Sequence, residues 1–253
     1  MGFESALVLV HGSRHGGWCW ERLVPILAPV GCSVRGLTLS GLGERAHLAA
    51  LVRIDLSVHV ADVVSLINHN NLKNVVLLGH SYGGMVISGV AAQIPERIAH
   101  LVFLDAVVPR SGENHFDTCD PEQAANLRRL IDEQGAGVKV PALASGLEYF
   151  GVTDPEDVAW VSPRLSDQPA DTFREHLGDI TAGEAIPRTF IRCTRSALVS
   201  RLSENRARAE PFRFIEIDAD HDVMVTDPAL LANLLKEIVD RSAPQPRLEP
   251  LAT

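Results

Sequence analysis

Short apolar runs alternate along the chain with segments in which apolar residues recur every three or four positions. The runs at 6–10 and 74–79 are apolar on both faces, which is typical of strands buried within a parallel sheet. In the segment 57–69, Val60 and Ile67 follow helical spacing, and Ser57 is a predicted N-cap. The predicted strands are 6–10, 32–39, 74–79, 100–108, 188–193 and 212–219, and the helices predicted between them are 57–69, 82–93 and 227–240.

The alternation of strands and helices predicts an α/β fold with an open, doubly wound, mostly parallel sheet. Segment 109–186 interrupts this rhythm because it contains no clear sheet strand. We interpret it as a mainly helical cap or lid inserted into a core made of 1–108 and 187–241; a separate domain is less favoured because the strand pattern then resumes. The Pro-rich, polar tail 242–253 is predicted to be disordered. Within the insertion, helices are predicted at 121–134, 155–160 and 169–177.

Composition narrows the range of functions. A chain of 253 residues with 46% hydrophobic and 22% charged residues fits one α/β domain with an insertion. Its net charge of −9 argues against a nucleic-acid partner, which would require a basic face. The four cysteines form no CxxC pair, which indicates reduced thiols and a cytoplasmic location. Glu4 stands where a secretory signal would carry positive charge, and the apolar run 6–10 is too short for a membrane span, so we expect no membrane partner.

The stretch Gly79-His80-Ser81-Tyr82-Gly83 fits G-x-S-x-G, and it stands between a predicted buried strand and a predicted helix. A sharp strand-to-helix turn forces the serine into strained backbone geometry, and the flanking glycines leave room for the neighbouring chain. The turn exposes Ser81 Oγ at the carboxyl edge of the sheet, where the N-terminus of the following helix favours an anionic intermediate. Ser81 is therefore the predicted nucleophile.

A glycine-rich loop, HGSRHGGWCW, follows the first predicted strand. In folds with a nucleophile elbow, this loop supplies one backbone N–H of the oxyanion hole, and the residue after the nucleophile supplies the other. We therefore expect the N–H groups of Ser13 and Tyr82 to bind the oxyanion; losing one such donor costs about 3 kcal/mol of transition-state stabilisation. His11 is expected to shape the loop, and His15 either shapes it or lines the pocket. Metal binding is not expected, because no acidic cluster accompanies these histidines.

Four stretches together resemble one protein family: HGSRHGGWCW, GHSYGG, LVFLDAVVP and the late loop that contains His221. The chain is similar to the α/β-hydrolase superfamily, and within it to the branch of plant hydroxynitrile lyases, plant methyl esterases and related bacterial esterases. The similarity spans nearly the whole chain, including WVSPRLSDQPADTF in the predicted cap. It implies an α/β-hydrolase fold, a small-molecule substrate, no cofactor, and a monomer or homodimer.

The triad base in this fold follows the last sheet strand, which is where His221 stands. His221 would take the proton of Ser81 and return it to the leaving group. The resemblance places the triad acid just beyond the strand 188–193, but Ser196 occupies that position. Some α/β-hydrolases carry the acid after the strand beside the nucleophile strand, which makes Asp105 the favoured acid. Both strand ends open onto one crevice, so the geometry is feasible.

Three alternatives to Asp105 remain open. Asp105 could bind only backbone or cap, since bacterial relatives carry an Asp here beside their usual acid. Asp220 or Asp222 could serve instead, although side chains adjacent to His221 in an extended loop point away from it. Ser81 and His221 could also act as a dyad, at the expense of the charge that orients the imidazole.

Ester or thioester hydrolysis through an acyl-enzyme is the favoured chemistry, because a serine at the elbow argues against haloalkane dehalogenase and epoxide hydrolase reactions. The alternatives are a cofactor-independent dioxygenase using the His221–Asp105 pair, a pathway-specific hydrolase or lyase acting on an aromatic or polyketide-like intermediate, and a non-catalytic binder. Hydroxynitrile lyase action is less favoured, because those enzymes carry Thr at the position of Gly12 and Lys at that of Asp222.

The pocket is predicted to involve Gly12, His15, Trp18, Tyr149 and Trp160, with Phe150, Phe173 and Leu177 as further apolar walls.

Overall fold

Eight strands are present in the computed structural model, which describes residues 5–28, 32–142 and 144–242. Six of them form one parallel sheet, and two short strands form a separate antiparallel pair. The strands are β1 (Ala6–Val10), β2 (Ser33–Leu37), β3 (Val75–His80), β4 (Ile98–Leu104), β5 (Lys139–Val140), β6 (Gln168–Pro169), β7 (Arg188–Cys193) and β8 (Phe212–Ile217). The order across the main sheet is β2-β1-β3-β4-β7-β8, and the small pair is β5-β6.

Helices cover both faces of the main sheet. They are α1 (Val24–Leu27), α2 (Leu56–His69), α3 (Gly83–Gln93), α4 (Pro121–Gln134), α5 (Pro155–Val161), α6 (Asp171–Arg174), α7 (Arg201–Ala209), α8 (Val223–Thr226) and α9 (Pro228–Ser242). Helices α2, α3 and α7 contribute to one apolar cluster, whereas α1, α8 and α9 contribute to a second one. The fold is therefore the predicted doubly wound α/β architecture. Within the described ranges, no helix is both long and apolar enough to cross a membrane.

Burial follows the apolar pattern of the sequence. Every residue of β1 and β3 is buried, because helices pack on both faces of these central strands. The outer strands β2 and β8 consist mostly of partly exposed residues. In α9, Leu231, Leu235 and Ile238 recur at helical spacing and are buried against the sheet.

The carboxyl ends of β3 and β4 carry the predicted nucleophile and the predicted acid. His80 and Leu104, the last residues of the two strands, are paired in register. Ser81 and Asp105, the next residues along the chain, therefore leave the sheet side by side. β1 lies beside β3 although β2 separates them in sequence, so the chain changes direction at this point. Open α/β sheets bind ligands in the crevice at such a switch point.

The start of α2 differs from its prediction. The helix begins at Leu56, and Asp55 is its N-cap because the Asp55 carboxylate accepts a hydrogen bond from Val58 N at 3.3 Å. The predicted cap at Ser57 is therefore wrong. At α9 the predicted cap is correct, since Asp227 Oδ1 accepts from Leu230 N at 3.0 Å.

The segment between β4 and β7 is mainly helical, with one correction. The helix predicted over 169–177 is limited to α6, because the chain pairs as β6 just before it and turns to an extended conformation at Glu175. The β5–β6 pair was not indicated by the apolar pattern. The assignment of 109–186 as a cap stays a prediction. Of the tail predicted to be disordered, only Ser242 is described, at the end of α9, and the remainder lies outside the described residues.

Candidate active site

The turn between β3 and α3 holds Ser81 in a strained conformation. Its φ is +56°, a left-handed value that costs a non-glycine residue of order 1 kcal/mol or more. Ser81 N donates to Leu104 O at 3.2 Å, and Val107 N donates to Ser81 O at 3.2 Å. A Cβ on Gly79 would lie 2.6 Å from Gly83 O, so this turn requires glycine. Neighbouring backbone therefore maintains the conformation that a nucleophile elbow needs.

His221 and Asp105 form a buried pair. His221 Nδ1 lies 2.6 Å from Asp105 Oδ2, and Asp105 is fully buried at a second strained corner with φ of +41°. Burial alone would raise the pKa of Asp105, but the hydrogen bond and charge of His221, together with Ser196 and Arg192, hold this pKa below its usual range. Asp105 is therefore ionised at neutral pH, and His221 Nδ1–H donates to it. The lone pair of His221 Nε2 remains available to accept a proton.

The end of β7, where the resemblance places the acid, supplies hydrogen-bond donors to Asp105 instead. Cys193 N and Arg192 Nη1 each donate to Asp105 Oδ1 at 3.1 Å. Arg192 Nε also pairs with Glu204 at 3.3 Å. Ser196 is buried and lowers the pKa of Asp105 through a hydrogen bond. The carboxylate that faces His221 thus comes from the end of β4, and the end of β7 helps to hold it.

The loop after β1 passes directly over the elbow. A Cβ on Gly12 would lie 2.9 Å from Ser81 Cβ, so glycine is required at this crossing. The backbone N–H groups of Ser13 and Tyr82 donate to no acceptor among the described residues, and both residues line the cavity beside Ser81. The Tyr82 side chain is fully buried, with its hydroxyl 3.0 Å from His59 Nδ1. The two predicted oxyanion donors are therefore free to meet a ligand.

His15 and Asp222 form a second buried histidine–aspartate pair. His15 Nε2 lies 2.9 Å from Asp222 Oδ2, and His15 Nδ1 lies 2.8 Å from Ser13 O. Burial lowers the pKa of His15, but the charge and hydrogen bond of Asp222 outweigh it and raise that pKa. Burial likewise opposes ionisation of Asp222, and His15 nevertheless holds the pKa of Asp222 below its usual range. Because both nitrogens of His15 face acceptors, both donate and the ring is an imidazolium.

The acidic neighbours of His221 in sequence thus have other partners. Asp222 is bound to His15, and Asp220 pairs with Arg195 at 2.8 Å near the surface. Neither makes a hydrogen bond with the ring of His221 among the described contacts. Adjacent side chains of this loop diverge as expected.

His80, the residue before the nucleophile, holds the backbone of the predicted base. His80 Nε2 donates to His221 O at 3.0 Å. Burial, with the charge of His221, lowers the pKa of His80 to about 3, so the ring is neutral. His80, His221 and Asp222 bring candidate metal-ligand atoms within 4.8 Å of one another. The Asp105 bond of His221 and the His15 bond of Asp222 already use one candidate ligand atom of each residue.

A cavity of about 370 Å³ opens over these groups. Its lining combines polar groups of the elbow, the β1 loop and the predicted base with mainly apolar side chains from the segment between β4 and β7 and from the loop after β7. Its lining includes Gly12, Ser13, Arg14, His15, His80, Ser81, Tyr82, Asp105, His115, Leu127, Leu130, Tyr149, Phe150, Phe173, Val199 and His221.

Comparison with known proteins identifies the family to which this site belongs. A model described as the alpha/beta hydrolase family matches residues 7–234. The chain belongs to the α/β-hydrolase family. It is 33% identical over 243 residues to a carbendazim hydrolyzing esterase of Nocardioides sp. (strain SG-4G), which covers 90% of this chain and 97% of that protein. It is 27% identical over 265 residues to salicylic acid-binding protein 2 of Nicotiana tabacum, over 92% of this chain and 96% of that protein.

A solved structure supports the same assignment for this hydrolase. An extracellular α/β-hydrolase from a Paenibacillus species, described as sharing structural and functional homology with tobacco salicylic acid-binding protein 2, superposes with a TM-score of 0.80. The two chains are 25% identical, and the match covers 92% of this chain and 98% of the other. The predicted branch of the family is thereby confirmed, and the protein is a hydrolase of the carboxylesterase type.

Three predicted pocket residues of the hydrolase do not line this cavity: Leu177, which lines a separate pocket with residues of α2 and α3, and the two tryptophans. Trp18 and Trp160 pack against each other with ring centroids 5.4 Å apart, and Trp18 stacks on His15 at 5.3 Å. They lie behind His15 because the cavity wall there is formed by His15 itself and by Phe150, whose ring centroid is 5.3 Å from that of His15. Tyr149 lines the cavity as predicted.

Arg14 and His115 line the cavity but were missed from sequence. The signal for Arg14 was available, since a charged residue directly follows the predicted oxyanion donor Ser13. For His115, no motif or spacing distinguishes it from the other histidines of the chain.

Proposed function

We propose that the enzyme hydrolyses a small carboxylic ester with an apolar or aromatic part through an acyl-enzyme on Ser81. His221 acts as general base and Asp105 as the acid that orients it. The observation that carries this proposal is the 2.6 Å contact between His221 Nδ1 and the ionised, buried Asp105. The esterases among the relatives support the reaction type.

The first half of the reaction forms the acyl-enzyme. His221 Nε2 takes the proton of Ser81 Oγ as this oxygen attacks the ester carbonyl. The N–H groups of Ser13 and Tyr82 bind the oxyanion of the tetrahedral intermediate. The imidazolium then gives its proton to the leaving alcohol, and Asp105 stabilises the imidazolium throughout.

The second half repeats these roles with water. His221 accepts a proton from water, which attacks the acyl carbonyl, and then returns that proton to Ser81 Oγ as the acid leaves. His80 supports both halves by donating to His221 O, which fixes the main chain of the base. The apolar side chains that line the cavity favour an apolar or aromatic portion of the ester.

Covalent labelling tests this proposal. A fluorophosphonate should modify the native enzyme on a single peptide, which mass mapping identifies as the one containing Ser81. Ser81→Ala should remove both the label and the turnover of p-nitrophenyl acetate, whereas Ser88→Ala, a matched buried serine of α3 that bonds within its own helix, should keep both. Labelling of the native protein anywhere except Ser81 would overturn the proposal.

The His221–Asp105 pair also suits a second candidate, a cofactor-independent dioxygenase in which this pair deprotonates a heteroaromatic substrate. Turnover of candidate heteroaromatic substrates with and without dioxygen separates the two functions. Hydrolysis proceeds at the same rate in both conditions, whereas dioxygenation stops when dioxygen is removed.

A further inference from the structure

The cavity wall carries a cation, Arg14, that makes no ion pair among the described residues. Arg14 lines the cavity, yet its guanidinium makes no ion pair and no hydrogen bond within the described part of the chain, and its Nε is buried without a partner. Its Cζ lies 5.1 Å from the centroid of the Phe150 ring. Arg14 as a whole is partly exposed, but its Nε is buried, and a charged group that leaves water without a partner is costly.

The nearby carboxylates already pair with groups other than Arg14. Asp222 binds the His15 imidazolium at 2.9 Å, and Asp105 is shared between His221 and Arg192. Burial lowers the pKa of Arg14 while the charge of Asp222 opposes that effect, and a guanidinium remains charged at neutral pH. Burial lowers the pKa of His115 to about 3, and the charge of Arg14 adds to this, so His115 is neutral and balances nothing.

The backbone of Arg14 is held in place at some cost. Its φ is +67°, the left-handed region that glycine adopts without strain. Two hydrogen bonds fix it to the segment between β4 and β7: Arg14 N donates to Gln168 Oε1 at 2.9 Å, and Arg14 O accepts from Ser166 N at 2.9 Å. A long charged side chain thus projects from a fixed backbone position on the cavity wall, in the same loop as the predicted oxyanion donor Ser13.

From this geometry we infer that Arg14 binds a free carboxylate of the substrate, so that the preferred substrates are monoesters of dicarboxylic acids. This inference rests on the proposed ester hydrolysis and specifies its substrate class. A guanidinium can donate two parallel hydrogen bonds to one carboxylate, which fixes the orientation of the substrate as well as pairing its charge. The ester then lies at Ser81, and a short apolar or aromatic spacer joins the two groups across the cavity.

Matched substrates test the inference. The probes are monomethyl succinate, monomethyl glutarate, monomethyl adipate and methyl 4-carboxybenzoate, each compared with the analogue that has a carboxamide in place of the free carboxylate. For at least one pair, the native enzyme should show kcat/KM about 100-fold higher for the carboxylate, as expected for a charge-assisted bond. Arg14→Gln should bring this ratio to within about threefold of one, mainly by raising KM for the carboxylate, and Arg14→Lys should keep part of it.

Arg164→Gln is the matched control. Arg164 also lies near an aromatic ring, with its Cζ 4.9 Å from the Trp160 centroid, but it is outside the cavity, so this variant should keep the native ratio. A native ratio near one for all four pairs would overturn the inference. So would a ratio that stays unchanged in Arg14→Gln while both substrates slow equally, because Arg14 would then act on the oxyanion or on the fold.

Binding separates this inference from the proposed function. If the native enzyme hydrolysed none of the esters, the proposed function would be wrong. Calorimetry would then test separately whether Arg14 binds a carboxylate. Succinate, glutarate, adipate and terephthalate are titrated into Ser81→Ala and into Ser81→Ala combined with Arg14→Gln. We expect the Kd of at least one dicarboxylate to rise about 100-fold when Arg14 is replaced. Equal Kd values in the two proteins, or no binding to either, would overturn the role of Arg14.

Discussion

Two histidine–aspartate pairs are buried side by side in this site, and they differ in what the second ring nitrogen meets. In the pair His221–Asp105, one nitrogen binds the carboxylate and the other is left for a proton. In the pair His15–Asp222, one nitrogen binds the carboxylate and the other binds Ser13 O. The proposed mechanism needs a ring nitrogen that can take and return a proton; the first ring has one, whereas both nitrogens of the second ring already face acceptors. The number of acceptors around the ring, rather than the presence of an aspartate, thus distinguishes the proposed base His221 from His15.

The largest expected effect is on the first pair. Asp105→Asn should lower kcat/KM by about 10⁴-fold, because the amide removes the charge that stabilises the imidazolium and permits the wrong tautomer. Ester turnover and the rate of fluorophosphonate labelling measure the effect, and circular dichroism checks that the fold is intact. A loss of less than tenfold would mean that His221 works without Asp105.

The second pair should matter more to stability. Asp222→Asn leaves His15 buried without its counter-ion, which should lower the free energy of unfolding by about 3 kcal/mol in a urea titration. Asp220→Asn is the matched control on the other side of His221; its partner Arg195 is half-exposed, so we expect a change of less than about 1 kcal/mol. If Asp222→Asn instead reduced turnover as strongly as Asp105→Asn without loss of stability, the two pairs would not have separate roles.

Moving the carboxylate from position 105 to position 196 tests how far the first pair depends on where its acid lies. In the Asp105→Asn background, Ser196→Asp restores a carboxylate at the place where the resemblance expects one. We expect kcat/KM to recover about tenfold, which corresponds to about 1.4 kcal/mol. Ser196→Asn in the same background should give no recovery. Equal activity of the two double variants would show that a carboxylate at position 196 cannot reach His221.

The smallest effect is a dependence of stability on pH. Because folding raises the pKa of His15, its contribution to the free energy of unfolding is complete below pH 6.5 and is lost as the pH rises through its folded-state pKa. Because folding lowers the pKa of Asp222, its contribution to the free energy of unfolding is complete above pH 3.8 and is lost as the pH falls through its folded-state pKa. The stability difference between the native protein and Asp222→Asn should therefore be largest between these limits.

Above pH 6.5 this difference should shrink by at most about 1.4 kcal/mol per pH unit, the limit for one proton. Urea titrations of both proteins at a series of pH values measure this difference in stability. Subtracting one protein's free energy of unfolding from the other's removes the contribution of groups that titrate alike in both. Arg14, which opposes charging of His15, faces the pair in both proteins. A difference that stayed constant from pH 6 to pH 9 would show that His15 does not titrate with folding.

Much of the fold and part of the site could be predicted from sequence. The central strands are apolar on both faces, so their positions followed from local pattern, and the elbow around Ser81 is a local motif. His221 followed from the order of elements along the chain. The pairing of His15 with Asp222 was not predictable, because the two residues stand 207 positions apart and no spacing connects them. Trp18 and Trp160 were misplaced because an aromatic residue beside a catalytic loop packs equally well behind it.

The pairing of β3 with β4 also affects how the site assembles as the chain folds. Ser81 and Asp105 stand 24 residues apart in one β–α–β unit, whereas Ser196, where the acid is usual, stands 115 residues after the nucleophile. Closing the shorter loop costs about 1.4 kcal/mol less chain entropy. During synthesis both residues emerge well before His221. The proposed nucleophile and acid can therefore take up their relative positions early, and the proposed base completes the site when the last third of the chain folds onto the sheet.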